Sequence, residues 1–150
     1  MTLEVEVQDA AADPRSPRVA EIRRWAQAAY RSAADAEVVV RIVGETEGAE
    51  LNSQYRGRSG PTNVLSFEFE APPGVDSGLL GDLVICAPVV LREAESQAKP
   101  AAAHWAHMVV HGMLHLQGYE HQAPVEAAEM ESLETEILAE LGFAPPYEGS

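Results

Sequence analysis

The segment HGMLHLQGYEH, residues 111–121, restricts the fold of this chain more than any other stretch. His111 and His115 stand four residues apart in an apolar run of helical character, and on an α-helix that spacing puts both imidazoles on one face, about one turn apart. They can share one cation. Two ligands on one rigid element leave little ordering for the ion to impose. Gly118 then has to end the helix, because a residue tolerant of positive φ makes the sharp exit that reverses the chain. Had the helix run on, His121 would stand about 600° of rotation from His115, or about 240° after removing one turn, well off the ligand face. The turn brings His121 back toward the same ion.

Three neutral imidazole nitrogens at about 2.0 Å from a tetrahedral zinc leave its fourth position open to water, which suits a catalytic site. A structural zinc usually takes four protein ligands, commonly cysteines, and Cys86 is the single cysteine here. One zinc ion is therefore expected, although three-histidine sites also accept nickel, copper or iron. Cys86 cannot form an internal disulfide. It lies in the apolar run LVICA and reads as a buried small hydrophobe rather than a reactive thiol. His104 reads as a satisfied core or surface residue. His107, one turn before His111 on the same face, reads equally as a support for a ligand, a substrate contact or a surface residue. Metzincin peptidases share the histidine spacing but carry a glutamate general base after the first histidine. Gly112 stands there, which counts against peptide hydrolysis.

At 150 residues and 46% hydrophobic, the chain suits one domain over 1–150, expected to be a metal-dependent hydrolase. No stretch approaches the roughly 18 to 20 apolar residues of a membrane helix, and the acidic start MTLEVEVQD lacks a signal peptide's regions, so a cytoplasmic location and no membrane partner are expected. The formal charge of −14 opposes a broad nucleic-acid surface. Residues 1–60 nevertheless hold eight Arg against ten acids, a balance of −2, whereas residues 61–150 hold Arg92 and Lys99 against fourteen acids, a balance of −12. A polyanion would approach the first part.

Alternation at Leu3, Val5 and Val7 predicts a strand, and a helix follows with Ser16 as N-cap and Pro17 at its first position, ending near Asp35. The β-branched run Val38–Val43 predicts a second strand, and a helix from about Thr46 to Arg56 ends at Gly57. GRSGPTN is loop chemistry, VLSFEFE and LLGDLVICA are strands, and APPGVDSG is a flexible connection between them. From Pro88 the pattern is helical, broken at Pro100, and resumes over about 101–117. A last amphipathic helix runs from behind Pro124 through Met130, Leu133, Ile137, Leu138 and Leu141 to Gly142, followed by a coiled tail. The class is α+β: a small mixed sheet of about four strands packed with about five helices, with the metal site at a helix end.

These blocks together resemble the YbeY family of bacterial endoribonucleases. The likeness lies in LNSQYR (51–56), PTNVLSF (61–67), GDLVI (81–85), HGMLHLQGYEH, Met130 with Glu131, and Pro146 with Tyr147. Glu120 departs from the family's usual Asp, keeping the charge and adding a methylene. The resemblance implies a metal-dependent hydrolase of single-stranded RNA, active in small-subunit rRNA 3′-end maturation and ribosome quality control. Its partners would be rRNA, the small ribosomal subunit and its assembly factors, and not DNA. It also implies His111, His115 and His121 as metal ligands and Arg56 as the functional arginine. A guanidinium there could clamp a phosphate as negative charge develops, while the plainer reading is a cation favoured at a helix C-terminus. Asp82 could orient a ligand histidine or form a turn, and Thr62 and Ser66 could touch phosphate or satisfy backbone groups. For an RNA hydrolase, Gly112 is expected to leave room beside the ion for a phosphodiester, since a helical glycine otherwise costs about 1 kcal/mol. Hydrolysis of a peptide or amide bond, and an assembly factor with a structural metal, are the alternatives.

Overall fold

The computed structural model describes residues 3–32, 34–57, 60–68, 78–119 and 123–146. Within them the order is β1 (Leu3–Asp9), α1 (Val19–Ala29), β2 (Ala36–Val43), α2 (Glu45–Arg56), β3 (Val64–Glu68), β4 (Leu79–Cys86), α3 (Ala87–Ser96), α4 (Ala101–Leu116) and α5 (Pro124–Glu140). This is the expected α+β class, a four-stranded mixed sheet with five helices among the described residues. The strand end at 69–70, the connection 71–77 and the tail from Tyr147 lie outside them.

The strands lie in the order β1-β2-β4-β3, with β1, β2 and β4 parallel and β3 antiparallel to β4. Side chains alternate across each strand, so the sheet has two distinct faces. Val38, Val40, Ile42, Leu83 and Ile85 point into one core with Ile22 and Trp25 of α1, Val109 and Met113 of α4, and Ile137 and Leu138 of α5. Val43, Leu65, Val84 and Cys86 form a smaller core that Leu51 of α2 packs against. Helices α2 and α4 therefore cover opposite faces. Cys86 is buried as expected, and burial pushes its thiol pKa up.

Helix α1 departs from expectation at both ends. Asp13 accepts from the Arg15 amide at 2.9 Å and from the Ser16 amide, through its carbonyl, at 3.0 Å. That local turn uses up the Ser16–Pro17 start, so Arg18 becomes the N-cap, its amide donating to Glu21 Oε1 at 3.2 Å. The helix stops at Ala29, not near Asp35, because of a distant side chain. Gln117 donates to the Ala29 carbonyl at 2.8 Å and accepts from the Arg31 amide at 2.7 Å, taking groups that another turn would need.

Helix α4 is enclosed by α1, α3 and α5 and by β3 and β4 beneath it. Gly112 lets it lie that close. A Cβ there would sit 2.7 Å from Leu83 Cδ2 and 3.2 Å from Val64 Cγ2. The space that the sequence reading assigned to a phosphodiester is thus filled by two sheet side chains, and that expectation is corrected.

Deep in the same helix, His104 is 3% exposed, and its Nε2 meets Glu93 Oε1 of α3 at 2.9 Å. Asn63 donates to both oxygens of Glu93 at 3.1 and 3.3 Å, tying the loop before β3 to the α3–α4 pair. His104 is thus a core residue rather than a surface one, partnered through Nε2 while its Nδ1 is buried without a hydrogen bond. Burial lowers its pKa below the usual 6.5, against the opposing pull of Glu93.

Two outcomes follow for stability. Overpacking typically costs about 1 to 3 kcal/mol and alanine returns about 1 kcal/mol of helix propensity, so Gly112→Ala should be destabilising by about 1 kcal/mol in urea denaturation. A measured gain would mean that Leu83 can yield. As pH falls below about 6.5 the unfolded chain protonates His104 before the folded one does, so folded stability should decline on acidification. His104→Asn should flatten that decline relative to wild type, as measured by denaturation midpoints between pH 7 and 5.

Candidate metal centre

Helix α4 ends at Leu116 with Gln117 as C-cap, and Gly118 takes φ +96°, the conformation expected for the chain reversal. The Gly118 amide donates to the His115 carbonyl and the Tyr119 amide to the Leu114 carbonyl, both at 3.0 Å. This pair of bonds closes the last turn of the helix directly on His115. His121, one of the three expected ligands, lies outside the described residues.

His111 and His115 do converge. Their Nε2 atoms are 3.1 Å apart, with ring centroids 4.6 Å apart and planes at 84°. Two nitrogens bound to one tetrahedral zinc at about 2.0–2.1 Å would be separated by about 3.3 Å, so this spacing suits a shared ion.

Behind His111 stands Glu134 of α5, which the sequence reading did not single out. Glu134 is 0% exposed, and its two oxygens are divided between His111 Nδ1, at 2.6 Å, and His107 Nε2, at 2.9 Å. Each carboxylate oxygen thus lies within hydrogen-bond distance of one ring nitrogen. The other ring nitrogen of His111, Nε2, faces His115. His107 is buried, which removes its surface reading and leaves it as a partner of the carboxylate. The ligand atoms of His107, His111 and Glu134 lie within 4.8 Å of one another, and this group could hold a metal. The same contacts of 2.6 and 2.9 Å are also of hydrogen-bond length.

One signal in the sequence did mark Glu134. It falls four residues after Met130 and three and four before Ile137 and Leu138, in the apolar register of α5. An acid on a buried helix face needs partners, whereas Glu131, which carried the family likeness, is exposed.

The other candidates lie elsewhere. Arg56 is exposed at the last position of α2, and no bond joins it to the histidines among the described residues. Its neighbour Tyr55 packs edge-on against Phe67 of β3 at 5.2 Å. Asp82 pairs with Val39 and Phe67 in mid-strand and is exposed on the face away from α4, so it orients no described histidine and forms no turn. The Ser66 hydroxyl donates to the Gly112 carbonyl at 3.4 Å, in keeping with a backbone-satisfying role. Thr62 sits in the loop between α2 and β3.

Known proteins place this arrangement in context. Residues 6–142 match the family model described as Endoribonuclease YbeY. Endoribonuclease YbeY of Methylococcus capsulatus is 62% identical over 131 residues, 87% of each chain. The solution structure of a Thermotoga maritima protein aligns with a TM-score of 0.58 at 23% identity, covering 95% of this chain and 99% of that one, and it speaks for the fold alone. With a family model matched over most of its length and a relative this similar, the chain belongs to the YbeY family of endoribonucleases.

Proposed function

We propose that residues 1–150 form one domain that hydrolyses single-stranded ribosomal RNA with a bound zinc ion, maturing the small-subunit rRNA 3′ end and serving ribosome quality control in the cytoplasm. The reading rests on family membership and, in the geometry, on one observation: two Nε2 atoms 3.1 Å apart at the open end of an otherwise buried helix. His111, His115 and His121 are assigned as the ligands, with nickel or another transition metal as a substitute. Such an ion supplies Lewis-acid chemistry, polarising phosphoryl oxygen and water. No helix among the described residues is long and apolar enough to cross a membrane.

The protein's own groups do the rest. His111 is 22% exposed at its side chain, so it borders solvent while its other nitrogen stays in the interior. At the end of α2, Arg56 is assigned to the phosphate: it is exposed, and a guanidinium's planar fork can grip two phosphate oxygens. Tyr30, Arg31 and Tyr119 line a groove of about 580 Å³ at the His115 end of α4. Aromatic rings beside a cation accept unpaired bases more readily than a stacked duplex, which favours the single-strand preference. Small-subunit assembly factors are the expected macromolecular partners.

Purified protein should carry close to one transition-metal ion per chain, and His111→Ala, His115→Ala or His121→Ala should each lose most of it by elemental analysis. Unchanged metal in these variants would refute the ligand assignment. On rRNA fragments, wild type should cut single strands in preference to duplex. Arg56→Ala should keep its metal and fold yet cleave at least about tenfold more slowly, the usual scale for a lost transition-state charge contact. Arg56→Lys should recover part of that loss. Full turnover in Arg56→Ala would reduce Arg56 to a helix-end cation.

A further inference from the structure

We infer that Glu134 is a positioning residue for the ion: it locks His111 in the tautomer whose Nε2 faces His115, and His107 holds the carboxylate in place. The inference rests on the ligand reading above and adds to it a residue that the histidine motif does not contain.

Three observations carry it. Glu134 is fully buried, and a carboxylate held out of water is stable only with strong hydrogen-bond donors around it. The donors include His111 Nδ1 at 2.6 Å and His107 Nε2 at 2.9 Å, one on each oxygen, so rotating the carboxylate away from His111 also breaks the bond to His107. His107 and His111 sit one turn apart on α4, which is rigidly packed, so α5 reads the helix at two points and fixes Glu134 against both. With Nδ1 protonated, the lone pair of His111 can only be at Nε2, and that atom lies 3.1 Å from His115 Nε2. An aspartate in this place would be a methylene short of spanning both histidines. A glutamine would offer one acceptor oxygen and turn an amide N–H₂ toward the other ring, forcing that ring to change tautomer or give up the bond. Carboxylates behind ligating histidines characteristically raise metal affinity by fixing ring orientation and increasing ligand basicity.

The test uses the full chain, stripped of metal and titrated with Zn²⁺ against a chromophoric chelator, with Co²⁺ absorption as a second report on coordination. Glu134→Gln should retain the folded circular-dichroism spectrum and bind Zn²⁺ about 10- to 100-fold more weakly, with an altered Co²⁺ spectrum. Glu134→Asp should fall between it and wild type, and His107→Phe should weaken binding less than Glu134→Gln does. Ile22→Ala, at a buried position on α1, serves as the structural control: it should lower stability without changing affinity. Folded Glu134→Gln that binds Zn²⁺ as tightly as wild type would overturn the inference and make Glu134 helix–helix glue, while leaving the ligand assignment intact. Wild type that binds no ion, or His111→Ala and His115→Ala that still bind it, would instead sink the ligand reading and this inference with it. Should Glu134→Gln not fold, the ¹⁵N shifts of His111 in wild type decide: a protonated Nδ1 and bare Nε2 are expected, and the opposite tautomer would overturn the inference.

Discussion

The contact of Gly112 with Leu83 sets the rotation of α4 about its own axis, and the chemistry of the centre follows from that rotation. With residue 112 pressed onto the sheet, positions 104, 107, 111 and 115, each occupied by histidine, run along one flank of the helix, roughly 60° to 140° around from it. Their rings form a row, with successive centroids at 6.1, 6.1 and 4.6 Å. A row of imidazoles inside a packed domain is costly unless each ring finds a partner. The neighbouring helices supply carboxylates, Glu93 from α3 for His104 and Glu134 from α5 for His107 and His111. Only at the end of the row, where the helix reaches solvent, do two rings turn toward each other.

Much of this was legible because it depends on residues close in sequence. Strand alternation, the break at Pro100, and the exit at Gly118 are local physics, and the structure places β1, β2, β4, α4 and α5 where those signals put them. What escaped reading depends on residues distant in sequence. Helix α1 stops at Ala29 because Gln117, 88 residues away, takes its carbonyl. Gly112 had two local explanations, propensity lost and space gained, and the decisive neighbour was Leu83 on another element. Spacing told which histidines share a face but not which face is buried, so His107 stayed open until α5 was seen beside it.

Glu134 illustrates a more general difficulty. Six glutamates lie in α5, and on composition alone they read as one solvated acidic face. Register separates them: five fall outside the apolar stripe and one falls within it. An acid in a stripe is a costly substitution for a hydrophobe, and a fold tolerates it where other buried polar groups require it. Here the requirement comes from α4. The two helices are therefore matched in chemistry as well as shape, a pairing that neither helix's own pattern discloses.

Charge sharpens what kind of RNA contact the proposed reading can use. The eight arginines of residues 1–60 suggested a surface for a polyanion, but several are already engaged within the fold. Arg15 and Arg41 pair with Asp13 and Glu47, and Arg23 and Arg24 donate to the carbonyls of Val5 and Leu141. Arg92, in the acidic part, pairs with Glu45. An electrostatic footprint built from many phosphate contacts is thus hard to assemble on a chain of net charge −14. On the proposed reading, recognition would come from a few directed contacts, and Arg31 and Arg56 stand apart from the side-chain ion pairs found among the described residues. On that reading, one ion held by the histidine nitrogens would concentrate at a single point the positive charge that the surface lacks. Placement of that ion would then matter more than the overall field, which is why the buried carboxylate of Glu134, 2.6 Å from the His111 ring on its interior side, bears on such a site.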